Sequence, residues 1–441
     1  MEATPGVGER RAAHRPSRRD DIRRAGVRLF ARAGYLDTTV ADVAREAGMS
    51  ERAFYYHFAT KESLLLDAVR PVADAILEII ARAMAAYHPR QWREAMARIL
   101  EGIFSWADAH PDEANLYYVW SRLGLPAVAA IRDDLLAACL ELSNPRPARP
   151  LARTPAGQVA QELAAVVAID TADDVMSALF AGDGFVAGVD RAEVARVLAD
   201  NNGALIAERR ADAAVRAVDA ARTPAHRSVA ARPGTETDGG RAAGATTARG
   251  AHRPSRRVHL LRAATAEFAE RGVAAATLTD ITDRAGMAPN ALYYHYDSKQ
   301  ELVLDVLERV SAQVADHVVP TTDGPDKATE LLAAWSRFAR WAEAHPHEAR
   351  VHLTASAAIS LETEQVRRSA QQAVVQRLAA WMRHGTRRSS PLDAEVGAIA
   401  LSDLFRRATA KVLEPPGRTE VLDVAVVDVG LRILAGARCE D

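Results

Sequence analysis

Apolar residues recur at three- and four-residue intervals along most of the chain, the period of helices packed on one face. Ile22, Ala25, Leu29 and Phe30 make one stripe, with Ser17 placed to cap it and Gly34 to end it. Val40, Val43, Ala44 and Ala47 make a shorter stripe behind Thr39. The turn Gly48-Met49-Ser50 then leads to a third helix over Glu51 to Phe58. Two short helices joined by a glycine-containing turn predict a helix-turn-helix, with the second helix as the reader. From Lys61 the pattern becomes a long Ala- and Leu-rich helical array, and Pro71 is expected to kink its first helix. Further helices are predicted over 90–109, 113–123, 127–142, 156–180 and 191–221, with a Pro-rich loop at 144–155. Gly182-Asp183-Gly184 has no strand before it, so it reads as a turn between helices rather than a phosphate-binding loop.

The pattern then starts again. His14-Arg15-Pro16-Ser17-Arg18-Arg19 returns letter for letter as His252-Arg253-Pro254-Ser255-Arg256-Arg257, and the correspondence runs without a gap through Leu66 and Leu304. Trp106-Ala107-Asp108-Ala109-His110-Pro111 returns as Trp341-Ala342-Glu343-Ala344-His345-Pro346. Between the copies lies a stretch rich in Gly, Ala, Thr, Arg and Pro without periodicity, the composition of a flexible tether. The expected layout is an all-α duplication. Helix-turn-helix domains occupy 14–60 and 252–298, regulatory helical domains occupy 61–221 and 299–441, and the linker occupies 222–251.

Composition narrows the function. At 441 residues the chain exceeds one compact core, and its scarcity of aromatics favours helix over sheet. A net charge of −2 means that any nucleic-acid affinity must come from local patches. One such patch is the run Arg10, Arg11, Arg15, Arg18, Arg19, Arg23 and Arg24, read as a phosphate-seeking arm beside the first reader, behind an unstructured start at 1–13. Cys139 and Cys439 lack the spacing of a disulfide framework or a metal site. No Ser-His-Asp set, carboxylate pair or ligand cluster suggests an enzyme, a metal or a cofactor. No apolar run reaches membrane-spanning length, and the basic start has no apolar segment behind it, so a cytoplasmic protein with no membrane partner is expected.

Several of these residues together carry a family resemblance. They are Phe30, Gly34, Thr39-Val40-Ala41-Asp42-Val43-Ala44, Ala47-Gly48-Met49-Ser50, Phe54-Tyr55-Tyr56-His57-Phe58 and Lys61-Glu62-Ser63-Leu64. The chain resembles the TetR/AcrR family of bacterial transcriptional regulators. Leu278-Thr279-Asp280-Ile281, Ala285-Gly286-Met287, Leu292-Tyr293-Tyr294-His295-Tyr296 and Lys299 resemble it a second time. The likeness is specific over roughly 15–67 and 253–305, and the tandem layout departs from the family's usual single unit. It implies two TetR-like units, each with three DNA-binding helices and about six regulatory ones. It also implies a four-helix dimer interface, a pocket for a small effector that releases DNA, and repression as the commoner mode.

Comparing the copies sorts the expected DNA contacts. Thr39/Thr277, Tyr55/Tyr293, Tyr56/Tyr294, His57/His295 and Lys61/Lys299 are identical pairs, suited to phosphate oxygens. Tyr55 and Tyr293 read equally as core residues. Ala41/Thr279, Glu51/Pro289 and Arg52/Asn290 differ at positions expected to face base edges, and Ser50 opens the first reader. Arg favours guanine and Asn favours adenine in the major groove, so the two halves are expected to read different half-sites of double-stranded DNA. The tether spans about 30 Å, close to the spacing of successive major grooves, about 34–36 Å. One chain as a covalent pseudo-dimer, with 156–180 and 191–221 against 393–413 and 420–436, and a homodimer of chains both remain open. Trp106, Tyr117, Trp120, Trp341, His352 and Trp381 are the candidates for lining pockets that take an apolar or aromatic effector. The alternative is a TetR-fold ligand-binding or protein-interaction scaffold that has lost DNA binding in one or both readers.

Overall fold

The computed structural model describes residues 17–35, 37–87, 91–120, 125–143, 154–182, 186, 188–206, 212–222, 256–273, 275–321, 326–354, 361–384 and 390–436. The linker and the start of the chain lie outside these, as do the side chains of Trp120 and Pro289. Every extended element among the described residues is helical. The first half comprises α1 (Arg18–Ala33), α2 (Val40–Glu46), α3 (Glu51–His57), α4 (Lys61–Ala86) and α5 (Trp92–Ala109). It continues with α6 (Pro111–Asn115), a π-helical turn (Leu116–Trp120), α7 (Pro126–Ser143), α8 (Pro155–Ala181), α9 (Arg191–Ile206) and α10 (Asp212–Arg222). The second half comprises α11 (Arg256–Arg271), α12 (Leu278–Arg284), a 3-10 helix (Pro289–Tyr294) and α13 (Lys299–Val318). After these come α14 (Lys327–Ala344), α15 (Pro346–Thr354), α16 (Leu361–Arg383), α17 (Pro391–Val412) and α18 (Glu420–Ala435).

The caps lie where the sequence places them. Ser17 accepts from the Asp20 N–H, and Asp20 accepts in return from the Ser17 N–H, a reciprocal box that satisfies two orphan donors. Thr39 with Asp42 and Thr277 with Asp280 repeat that box at α2 and α12. Gly34 ends α1 at φ 84°, a backbone region that penalises any Cβ. α4 runs on as one helix through Pro71. Of the helix expected over 191–221, α9 and α10 are described and 207–211 lie outside the described residues, and the part of 113–123 that is described is the end of α6 followed by a π-helical turn.

Helices α8 and α9 pack against α17 and α18, so the apolar faces of both halves close on one four-helix bundle. α10 lies across α18 and α14 of the other half. The bundle seam is charged unequally. Asp170 of α8 accepts from Arg406 (2.9 Å) and from Nε and Nη2 of Arg407 (2.5 and 2.7 Å), both on α17. Gln371 of α16 donates to Asp174 (3.0 Å), and the Thr171 hydroxyl donates to Asp403 (3.4 Å). Burial, aided by Asp174, pushes the Asp403 carboxyl well above its ordinary range.

Candidate nucleic-acid interface and regulatory cavity

Each reader stands on an apolar base with a polar tip. Phe54 and Phe58 are buried under α3, and Leu292 and Tyr296 are buried under the 3-10 helix, at the same places in the two copies. Their neighbours face solvent. Tyr55 and Tyr293 are 55% and 59% exposed, and Tyr56 and Tyr294 are both 86% exposed. Large aromatic groups stay in water at a cost unless another surface covers them. The core reading of Tyr55 and Tyr293 is therefore the one the structure excludes.

The two readers differ in backbone. Ser50 accepts from the Ala53 N–H (3.2 Å) and opens α3 as an α-helix. Ala288 offers no such acceptor, Pro289 follows it, and the second reader is wound as a 3-10 helix rather than the α-helix expected from the first copy. Arg52 and Asn290 are both exposed near the start of their helices, with Glu51 exposed beside Arg52. Ala41 is half-buried where Thr279 is exposed.

Other predicted contacts also have tasks inside the fold. The Thr39 and Thr277 hydroxyls each donate to their capping aspartate at 2.6 Å while remaining at the surface. The Lys61 ammonium turns inward, donating to the carbonyls of Tyr35 (2.7 Å) and Thr38 (2.8 Å), 4.3 Å from the Tyr35 ring centroid. It thereby holds the loop that presents Thr39. Burial lowers the pKa of both Lys61 and Lys299. Arg19, expected in the phosphate-seeking arm, is paired with Asp67 (2.7 Å) and donates to the His57 carbonyl (3.1 Å). It fastens the end of α3 to α1 and α4. In the second half Arg257 meets Asp305 (2.8 Å), and the Tyr296 hydroxyl joins them by donating to Asp305 (2.5 Å). Burial, with Asp305 adding to it, pushes the Tyr296 phenol up to about 12. His57 and His295 are half-buried beside the exposed tyrosines.

Inside the first half lies a cavity of about 110 Å³, walled by α4, α5, the π-helical turn, α7 and α8. Its lining is mostly apolar, with Ile99, Ile103, Ala168 and Ile169 on facing walls, methionine and aromatic side chains between them, and Asp173 and Asn202 as polar members. Tyr117 borders it as expected, with Trp92 and Tyr118, two further bulky groups of this half, and Cys139 borders it without having been expected there. The indole N–H of Trp92 has no hydrogen-bond partner among the described residues, and burial raises the Cys139 thiol to about 11. Arg132 pairs with Asp173 at one edge. Trp106 stacks on His110 at 4.9 Å and does not line this space. In the second half, Trp341 donates to Gln313 (3.3 Å) and Trp381 to Glu330 (3.0 Å), both as parts of its packed interior. His352 meets Phe338 edge-on, and burial lowers its pKa to about 4. Sequence reasoning found bulky groups but not the small residues that leave room between helices.

Among the described residues no helix is long and apolar enough to cross a membrane, and no group of side chains is arranged to hold a metal ion. Comparison with known proteins bears on the two readers. Residues 22–68 and 260–306 each match the family described as bacterial regulatory proteins, tetR family. The chain is 51% identical over 53 residues to the HTH-type transcriptional repressor KstR2 of Mycobacterium tuberculosis, covering 12% of this chain and 26% of that protein. It is 44% identical over 90 residues to the HTH-type transcriptional activator FasR of Mycolicibacterium smegmatis, covering 20% and 41%. These matches thus span about a quarter to two fifths of the curated relatives. A solved TetR-like transcriptional regulator from Rhodococcus aligns with 42% of this chain and 98% of its own, at 20% identity and a TM-score of 0.36. The chain thus carries, twice, a segment that matches the tetR family of bacterial regulatory proteins.

Proposed function

We propose that the protein is a transcriptional repressor whose two unlike readers, joined in one chain, grip one asymmetric operator and let go when an apolar effector fills the first-half cavity. The observation that carries this reading is the matched exposure of Tyr56 and Tyr294, 86% each, beside the half-exposed Tyr55 and Tyr293 and above a base of buried Phe54, Phe58, Leu292 and Tyr296. Phenol hydroxyls at a helix tip suit phosphate oxygens, while Arg52 and Asn290 stand where bases are read. Repression is carried over from relatives such as KstR2, itself named a repressor, and FasR, an activator, marks the opposite sign as the alternative.

The pseudo-dimer arrangement draws support from charge. α8 and α17 begin alike, at Pro155 behind Thr154 and at Pro391 behind Ser390, and in that register Asp170 corresponds to Arg406. The two are bonded to each other across the seam. Two identical subunits crossing there would set Asp against Asp or Arg against Arg. Like charges in a half-buried seam repel, so the pairing of unlike halves within one chain is favoured over the equivalent pairing of copies.

Titration of the full chain on operator DNA tests the reading. Tyr56→Ala and Tyr294→Ala should each weaken binding about tenfold, the loss of one net hydrogen bond to a charged group. Binding of the parent protein should fall steeply with salt as counterions are released. An effect from Tyr56→Ala alone would mean that the 3-10 reader does not bind. No effect from either would leave the fold as a scaffold.

A further inference from the structure

The two regulatory halves are built on one plan but filled differently. Helix α5 corresponds to α14 through the repeated Trp106 to Pro111 and Trp341 to Pro346 blocks, and α8 corresponds to α17 from the capped prolines. At the cavity walls of the first half stand Leu100, Ile103, Ala165, Ala168 and Ile169. The matching residues of the second half are Trp335, Phe338, Leu401, Leu404 and Phe405. These five exchanges add roughly eighteen side-chain heavy atoms, whereas Lys327, Ala334, Thr409 and Val412, which match the lining residues Trp92, Ile99, Asp173 and Met176, remove roughly ten, so the net gain along these two helices is about eight, gathered into aromatic rings.

These larger groups are packed inward. Trp335, Phe338, Leu401 and Leu404 have no exposed surface, and Phe405 is 1% exposed. The Phe405 ring lies 5.7 Å from that of Trp335 and 6.1 Å from that of Phe338, so the three make one aromatic block. The Trp335 indole N–H donates to Asp423 (2.7 Å), which fixes the ring and leaves no orphan donor there. In the first half the reverse holds: alanines face the space, and the Trp92 N–H on its wall lacks a partner. At the position matching Trp92 stands Lys327, whose ammonium meets Glu330 at 2.8 Å.

We propose that the chain has one sensor for two readers: an apolar effector carrying a hydrogen-bond acceptor binds in the first half only, and the second half is a filled, non-sensing partner. The proposal rests on the effector reading above for its purpose, but the asymmetry stands on packing alone. Helix α8 can serve both halves, because Ala168, Ile169 and Ala172 line the cavity while Asp170 and Asp174 bond the second half. Occupancy of one cavity would thus reach both readers through one helix.

Xenon is the probe, since dry apolar cavities of this size take it up. Crystals of the full-length protein pressurised with xenon should show it between α5 and α8 and not between α14 and α17. Ala165→Leu/Ala168→Leu should abolish that site, and Trp335→Leu/Phe405→Ile should open a second one. Xenon in both halves of the parent protein, in the second half alone, or in neither would overturn the proposal. So would a first-half site that survives the leucines. DNA binding by the same preparations is scored separately, so loss of the regulator reading is distinguishable from loss of this one.

Discussion

The first half has a cavity and an α-helical reader, and the second has a 3-10 reader and, at the places matching the cavity walls, buried Trp335, Phe338 and Phe405. Their outer faces nonetheless present the same two tyrosines at nearly the same exposure. After duplication, the surface that meets a common polyanion has been held alike, while the interior and the helix tips have diverged. Opposite charges at Asp170 and Arg406 then tie the unlike halves together.

The largest effect of a substitution is expected at the seam. Asp170→Arg should destabilise the full chain by about 3–5 kcal/mol, because it leaves Arg406 and Arg407 partly buried without their carboxylate. Adding Arg406→Asp should recover much of that loss, as read from urea unfolding midpoints. A cost near that of an exposed ion pair, under about 1 kcal/mol, would remove the charge argument for unlike pairing.

A smaller effect should follow at the readers. Arg52→Asn should change base preference in one half-site by about 1–3 kcal/mol and leave the other half-site unaltered. Competition between single-base operator variants reads this out. A change in both half-sites would mean that two copies of the first reader occupy the site. Smaller still is the cap. Ser50→Ala should cost about 0.5–2 kcal/mol and speed hydrogen exchange at the Ala53 amide, which Ser50 now caps. The matching Ala288→Ser should slow exchange at the start of the second reader. If neither moves, the winding of the two readers is set by their packing rather than their caps.

Much of this was legible along the chain. Local chemistry marks the caps at Ser17, Thr39, Ser50 and Thr277, the buried Phe54 and Phe58, and the helices of the bundle, because spacing alone encodes them. The 3-10 reader had a visible signal as well, in Ala288-Pro289 standing where the first copy has Ser50-Glu51. The inward turn of Lys61 had none, since its partners are backbone carbonyls of a loop that sequence identity does not mark. The cavity was hidden for a similar reason. It is made by small side chains on several helices at once, whereas the sequence draws attention to large ones such as Trp106 and Trp341. The Asp170–Arg406 pair needed the register of α8 against α17, which only the packed structure supplies.

On the proposed reading, one chain brings two unlike readers to one asymmetric site. Selection of bound sequences from random DNA, with the mass of the selected complex measured in solution, tests it most directly. One chain per duplex and two dissimilar half-sites about one helical turn apart are expected. A palindrome held by two chains would contradict it.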